Sequence, residues 1–305
     1  MDIYTLTLNP AYDLHAACPD FAACRENFTS VDRRDAGGKG INLSRALQIA
    51  GIRHTALVVI GKENCSEFKE ELARFGLCAA YLETEGRIRE NLTIHHGDAE
   101  TRISFSGFSG DDMLLERVCS KIHVSENTAI TFTGSIPDGI TKDAAKGFLI
   151  KLKNSGAKIV LDCRSFDLQD IIEIAPWLIK PNQQELSAWV GQDVASVEDA
   201  AAWGEKIHSS GVENVMVTMG SQGAVLACER TLRSIAPPVS AVSTIGAGDS
   251  CIAGFLAAAA EGLGPESCLR QAVAFGTAAC LTEGTRPPRI EDILYLTPQI
   301  SIVEM

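Results

Sequence analysis

The chain contains ten cysteines among 305 residues but not one Cys-x-x-Cys pair. That excludes a zinc site of the usual spacing. Gly-x-x-x-x-Gly-Lys-Ser/Thr is absent, which removes the P-loop. Gly-x-Gly-x-x-Gly is absent too, which disfavours a nicotinamide dinucleotide and with it a nucleotide-dependent oxidoreductase. No apolar run reaches the roughly 20 residues that a membrane helix needs. Basic residues are scarce: 27 Lys and Arg face 39 Asp and Glu, a net charge of −12. Such a chain is not expected to bind nucleic acid or an anionic membrane surface nonspecifically. A local basic pocket can still dominate inside an acidic shell. The start, Met1-Asp2-Ile3-Tyr4, has no basic region and reads directly as a strand. It is therefore expected not to be a signal peptide, and the chain is expected to be cytoplasmic. The cysteines, mostly in apolar runs such as Val160-Leu161-Asp162-Cys163, read as reduced, buried small hydrophobes.

What is present is an alternation. Short apolar, β-rich runs at 3–8, 55–60, 129–133, 158–162, 177–180 and 214–218 are expected strands. Helical patterns are expected at 40–50, 66–75, 142–155, 183–190, 197–210, 247–261 and 265–282. Near-continuous apolar strands suit a sheet buried on both faces, and the alternation implies parallel βαβ units. The expected fold is α/β, with no linker long enough to separate independent domains. Two segments, 11–34 and 87–106, break the rhythm with polar–apolar alternation, the second around the turn signal His96-Gly97-Asp98-Ala99. They are expected to form a small accessory β-sheet able to act as a lid; a plain surface hairpin is the alternative. His95 and His96 fall on opposite faces of such a strand, which argues against joint metal ligation.

The most informative stretch is Ser243-Thr244-Ile245-Gly246-Ala247-Gly248-Asp249-Ser250, a glycine turn opening into an apolar helix. The free amides of Gly246, Ala247 and Gly248 at a helix start form an anion site. An acid there repels a resting phosphate. It makes sense as a base that takes a proton while a phosphoryl group moves past. Asp249 is accordingly a candidate general base; an ordinary acidic first helical turn is the alternative. Cys251 near the same helix start is a weaker candidate, as a reactive thiol.

Asp35-Ala36-Gly37-Gly38-Lys39-Gly40-Ile41-Asn42 is the second cluster. Its glycines permit close backbone approach, Lys39 supplies a cation, and Asn42 faces the same side about one turn later. That suits a hydroxylated, anionic small molecule. Asp13, in Asn9-Pro10-Ala11-Tyr12-Asp13 after the first strand, stands where parallel-sheet enzymes bind ligands, and is as readily a turn Asp. Lys180-Pro181-Asn182-Gln183-Gln184-Glu185 ends a strand and starts a helix. Asn182 and Glu185, at i and i+3, either hold Mg²⁺ through water or cap the helix. Val217-Thr218-Met219-Gly220-Ser221-Gln222-Gly223 is another strand-end glycine turn, able to floor a nucleotide. Arg89 lies on the expected lid, where a solvated strand charge is the alternative.

Together these residues resemble the PfkB family of ribokinase-like sugar kinases. Thr244–Ser250 and Gly37–Asn42 look like its two signature regions, and Thr7-Leu8-Asn9-Pro10-Ala11 with Gly134-Ser135-Ile136-Pro137 is similar to a branch acting on ketohexose phosphates. The resemblance implies a three-layer ribokinase-like sandwich with a mostly parallel sheet and a β lid, in one kinase domain spanning 1–305. It implies ATP, Mg²⁺ and, in the family at large, room for a monovalent cation. Asp249 would be the base and the amides of Gly246, Ala247 and Gly248 the anion hole. Asn182 and Glu185 would orient Mg²⁺ through water. Lys180, Thr218, Gly220 and Gly223 would serve the nucleotide. Asp13, Gly38, Lys39 and Asn42 would hold the sugar, with Arg89 reaching its existing phosphate. A homodimer clasped through the lid is also implied. Fructose 1-phosphate is the first expected substrate and tagatose 6-phosphate the next; an unphosphorylated sugar or nucleoside competes with both. A sugar-phosphate-binding regulator is the non-enzymatic alternative. The chain departs from the branch at the lid: Thr93 stands where Lys is expected in Arg89-Glu90-Asn91-Leu92-Thr93, and Thr29 where an Arg is expected. Arg25, Arg33, Arg34 and Arg87 are the candidate replacements.

Overall fold

The computed structural model describes residues 1–97 and 99–305, and the backbone alone at residue 112. In chain order the elements begin with β1 (Asp2–Thr7), β2 (Ala11–Ala17), β3 (Val31–Gly37), α1 (Lys39–Ile49), β4 (His54–Gly61), α2 (Cys65–Arg74) and β5 (Ala79–Thr84). There follow β6 (Arg89–His96), β7 (Ala99–Ser104), α3 (Asp112–Cys119), β8 (Thr128–Gly134), α4 (Lys142–Asn154), β9 (Lys158–Cys163), α5 (Leu168–Ile174) and β10 (Leu178–Ile179). The rest are α6 (Gln183–Val190), α7 (Val197–Ser209), β11 (Asn214–Thr218), β12 (Ala224–Ala227), β13 (Thr231–Ile235), α8 (Ala247–Ala260), α9 (Pro265–Ala279), α10 (Ile290–Leu296) and β14 (Ser301–Glu304).

Ten strands form one sheet in the order β14-β13-β12-β11-β10-β9-β8-β1-β4-β5. From β5 to β11 every pairing is parallel, and β12, β13 and β14 add an antiparallel edge. Alternation along each strand sorts the core into two layers. Leu6, Ile130, Phe132, Ile159 and Leu161 pack under α3 to α7. Ile3, Ala129 and Val160 pack under α1, α8, α9 and α10. The expected three-layer α/β sandwich with a mostly parallel sheet is what forms. A fully buried Phe such as Phe255 contributes roughly 1.5–3 kcal/mol to holding its layer.

The two segments that broke the rhythm form a second sheet, order β3-β2-β6-β7. Its central pair, β2 and β6, is parallel, and the outer pairs are antiparallel. Asp98, in the expected turn 96–99, lies outside the described residues. Tyr12 anchors this sheet to the body, its ring edge-on to Phe68 at 5.1 Å and its hydroxyl donating to the Asn64 carbonyl at 2.7 Å.

Several short elements were not expected from the pattern: β5, β12, β13, β14, α3, α5 and α10. None exceeds eight residues, too few for periodicity to show. Tertiary context makes them. β12 to β14 extend an existing edge, and α5 rests on a reciprocal Asp167–Asp170 capping box. No helix of the described residues is long and apolar enough to cross a membrane.

Candidate active site

The parallel strands of the main sheet deliver their carboxyl ends to one edge, and the sequence candidates gather there. Gly246 takes φ 79°, in the left-handed region, and starts α8 with no side-chain cap on its first amides. Asp249 follows in the first turn and is only 6% exposed. Asn42, on α1, donates from Nδ2 to Asp249 Oδ2 at 3.0 Å, and its own Oδ1 is buried without a partner. One turn earlier Lys39 donates to Asp162 Oδ2 at 2.9 Å. Lys180, buried just beyond β10, brings its ammonium against the backbone of Gly248. A Cβ on that glycine would stand 3.0 Å from Lys180 Nζ. Any larger residue at 248 would therefore make the Lys180 side chain give way by a few tenths of an ångström.

Two carboxylates share these two ammonium groups, and their surroundings drive them apart. The Asp249 carboxyl is pushed up to about 6, chiefly by burial and next by the charge of Asp162. Lys39, the Asn42 amide and Lys180 pull it back only in part. At Asp162 burial also pushes upward, but Lys180 and Lys39 outweigh it and hold the carboxyl below its usual range. Lys39 is opposed by burial and nevertheless raised, by Asp162 first and then Asp249. The pair therefore contains one firmly ionised acid and one poised near neutrality, the division of labour that acid–base chemistry needs. A cavity of about 350 Å³ adjoins the pair, walled by Asp162, Lys180, Glu185, Phe166 and Trp189.

Asn182 and Glu185 do form a helix cap. Asn182 Oδ1 accepts from the Glu185 amide at 2.8 Å, and Glu185 Oε2 accepts from the Asn182 amide at 3.0 Å. Glu185 Oε1 accepts from Arg164 Nε at 3.1 Å. A capping oxygen keeps a second lone pair, so the cap leaves room for a water-shelled cation. Thr218, at the end of β11, donates its amide to the Pro181 carbonyl at 3.0 Å, tying its turn to the Lys180–Asn182 corner. Gly220 and Gly223 follow in that turn at φ 58° and 88°. A Cβ on Gly223 would meet the Ser234 carbonyl at 2.3 Å, so packing against β13 already demands that glycine.

On the small sheet, Asp13 Oδ1 accepts from Asn91 Nδ2 at 2.9 Å, and Asn91 Oδ1 is buried and unpartnered. Gly38 stands at the start of α1, leading directly into Lys39. Arg89 is half-buried, its Nε and Nη2 each 3.4 Å from the Asn9 carbonyl. Asn9 in turn donates to Ser135 Oγ at 3.1 Å. Arg89 is thus held over the end of β1 rather than left to solvent. Cys251 is not a nucleophile in waiting: burial pushes its thiol up to about 11. Asp162 and Asn91 escaped the reading of the sequence. Asp162 carried a usable signal, since it ends an apolar strand as Asp13 and Lys180 follow theirs.

The family model described as pfkB family carbohydrate kinase matches residues 11–292. The chain belongs to this family. It is therefore a phosphotransferase acting on a sugar hydroxyl. It is 34% identical over 310 residues to 1-phosphofructokinase of Bacillus subtilis (strain 168), covering 99% of this chain and 100% of that protein. It is 31% identical over 258 residues to 1-phosphofructokinase of Escherichia coli (strain K12), covering 83% of each. Among solved structures, phosphofructokinase-2 from Escherichia coli in complex with substrates and products superposes with a TM-score of 0.88, at 28% identity and over 98% of this chain and 99% of that one. In this pfkB kinase the two glycine clusters lie at one site, bridged by the Asn42–Asp249 hydrogen bond.

Proposed function

We propose that this kinase transfers the γ-phosphoryl group of ATP to the free primary hydroxyl of fructose 1-phosphate, giving fructose 1,6-bisphosphate, ADP and a proton. The observation that carries it is Asp249: a buried carboxylate raised to about 6, in a helix turn whose amides have no side-chain cap. Asp249 takes the proton of the attacking hydroxyl. The amides of Gly246, Ala247 and Gly248, with Lys180 beside them, present positive potential to the developing phosphoryl charge. Asn42 aims the carboxylate, and Asp162 holds Lys39 in place. The unpartnered Oδ1 atoms of Asn42 and Asn91 are acceptors for sugar hydroxyls, beside Asp13 and the backbone of Gly38. Arg89 meets the phosphate that the substrate already carries.

The donor set fits a hard cation that keeps its water. Among the described residues no group of three or more His, Cys, Asp or Glu side chains converges as a metal cage. Asn182 and Glu185 would hold the hydration shell of Mg²⁺, which when bound neutralises phosphate oxygens. The turn of Thr218, Gly220 and Gly223 would seat the nucleotide. A monovalent cation belongs to this reading too, since a neighbouring Escherichia coli phosphofructokinase-2 structure is described as a complex with potassium.

The small sheet acts as a lid over the sugar, closing a single kinase domain. Phe28, Val31, Ile103 and Phe105 are exposed apolar residues along it, 84%, 51%, 42% and 51% accessible, and support a homodimer clasped through the lids. A tetrameric inhibited form is described for Escherichia coli phosphofructokinase-2. The proposed location is the cytoplasm. ADP release measured over fructose 1-phosphate, tagatose 6-phosphate, free ketoses and nucleosides tests the assignment. Fructose 1-phosphate should give the highest kcat/KM, and a free sugar or nucleoside outranking every sugar phosphate would overturn it.

A further inference from the structure

A second cavity, of about 210 Å³, opens between α1, the end of α2, the edge strand β3 and the loop that follows α9. Its walls include Arg33, Asp35, Arg45, Phe75, Glu283 and Arg286, and it shares no residue with the Asp249–Asp162 corner or with Asp13, Arg89 and Asn91. Three guanidinium groups meet two carboxylates there. Asp35 is taken by Arg33, Nε to Oδ2 at 2.6 Å, and Glu283 faces Arg286 at 3.3 Å. Arg45 is the cation left over. It lies on α1 one turn after Asn42 and is only 5% exposed. It donates from Nη2 to the Ala36 carbonyl at 3.1 Å, and its Nε is buried without a partner. Its guanidinium carbon stands 4.4 Å from the centre of the Phe75 ring. Among the described residues no carboxylate forms an ion pair with it. Burial holds the guanidinium below its usual range, and the more distant charges of Glu71 and Asp35 oppose that only in part. Arginine is almost never buried this far unless an anion pairs with it, because an unpaired charge in low dielectric is strongly unfavourable. The cavity also joins separate parts of the molecule. Arg33 of β3 lays its Nη2 over Gly284, where a Cβ would stand 2.8 Å away. Thr285, next in that loop, has its Cα 3.8 Å from where a Cβ on Gly246 would be.

We infer that this cavity is a separate binding site for a compact multivalent oxyanion, a carboxylate or phosphate of few carbon atoms, whose charge pairs with Arg45. Guanidinium forks match the paired oxygens of either class. At about 210 Å³ the cavity lies below the roughly 300 Å³ at which pockets take drug-sized ligands, so its occupant is a small ion and not a nucleotide. Phe75 gives a short carbon skeleton an apolar wall. Arg286 is 64% exposed, and its surface contact with Glu283 is weak enough to exchange for the ligand. An ion held by Arg33, Arg45 and Arg286 together fastens the edge of the small sheet to α1 and to loop 283–287. It does so beside the turn that opens α8, which makes the site one for an effector and not for the reacting sugar.

The test is isothermal titration of the full chain without substrate, using inorganic phosphate and, separately, succinate at fixed ionic strength. The wild type is compared with Arg45→Met, which keeps the length and loses the charge, and with Arg286→Ala. At least one probe should bind the wild type and slow hydrogen exchange in β3 and in loop 283–287, and the tighter of the two names the ligand class. Each variant should weaken that binding by about tenfold to a hundredfold, the worth of one charge-assisted hydrogen bond. Arg286 is a surface residue, so its variant decides the matter even where Arg45→Met fails to fold. No detectable binding of either probe would overturn the site. Binding that Arg286→Ala leaves unchanged would overturn it too, by placing the ion at the free amides of the α8 turn.

Discussion

The α8 corner and the lid face handle charge in opposite ways. At the corner, Asp249, Asp162 and Lys180 are between 5% and 7% exposed, with Asn42 donating to Asp249 and Lys39 to Asp162. On the lid face Asp13 is 22% exposed and Arg102 59%, with contacts of 2.9 and 3.4 Å that a ligand can displace or share. Burial lets the corner separate its acids, because only in low dielectric do two carboxylates and two ammonium groups split so far. On the proposed reading, exposure suits the lid face to recognition, since it can exchange water for a ligand at little cost. On that reading the same residue types serve reactivity in one place and selectivity in the other.

The largest effect that would sharpen this contrast is at the base. Asp249→Asn should lower kcat by about 10²–10⁴-fold while leaving ATP affinity, measured by isothermal titration, nearly unchanged. Retention of full turnover would remove Asp249 from the chemistry. The next effect is on stability. Asp249 titrates near 6 when folded and near 3.8 when unfolded, so the folded state binds the extra proton. Its contribution is present at low pH and is lost as pH rises from about 4 to about 6, by roughly 3 kcal/mol at 1.36 kcal/mol per pKa unit. Asp249→Asn should therefore gain stability relative to the wild type as pH rises through that window, followed by denaturant melts at pH 4.5 and 8. A constant difference would show that the carboxyl is not strained by burial. The activity limb has the matching sign: kcat/KM should fall below about pH 6 as the base protonates.

A smaller effect is expected at Lys39, where corner and sugar meet. Lys39→Ala should raise KM for the sugar by about tenfold to a hundredfold and KM for ATP much less, on the scale of one charged hydrogen bond. Equal shifts in both constants would place Lys39 with the corner alone. The smallest effect is at Glu185→Ala. Breaking half of the capping box should cost about 1 kcal/mol in a thermal melt, and the Mg²⁺ concentration for half-maximal rate should rise. A stability loss with no change in Mg²⁺ dependence would reduce Glu185 to a cap.

Much of this architecture was legible in linear order, because it rests on local rules. Strand–helix alternation announced a parallel sheet, and polar–apolar alternation in 11–34 and 87–106 announced the second one. Gly246 and Gly248 beside Asp249 announced a glycine turn opening a helix. Cys251 was the weaker candidate from its place near a helix start, and burial decides for the inert reading. Asp162 was invisible as a partner of Lys39, because 123 residues separate them and only the order of β9, β8 and β1 brings their elements together.

The sequence by itself determined the fold class and the residue types at the ends of the longer parallel strands, since periodicity and glycine placement act over a few residues. Only the tertiary structure decided which acid is ionised and which is poised, because burial and through-space charge depend on neighbours far apart in the chain. It also decided that Arg102 of β7 stands opposite Thr93 of β6. A β-ladder's register sets residues of different strands side by side, and no spacing along one strand encodes it.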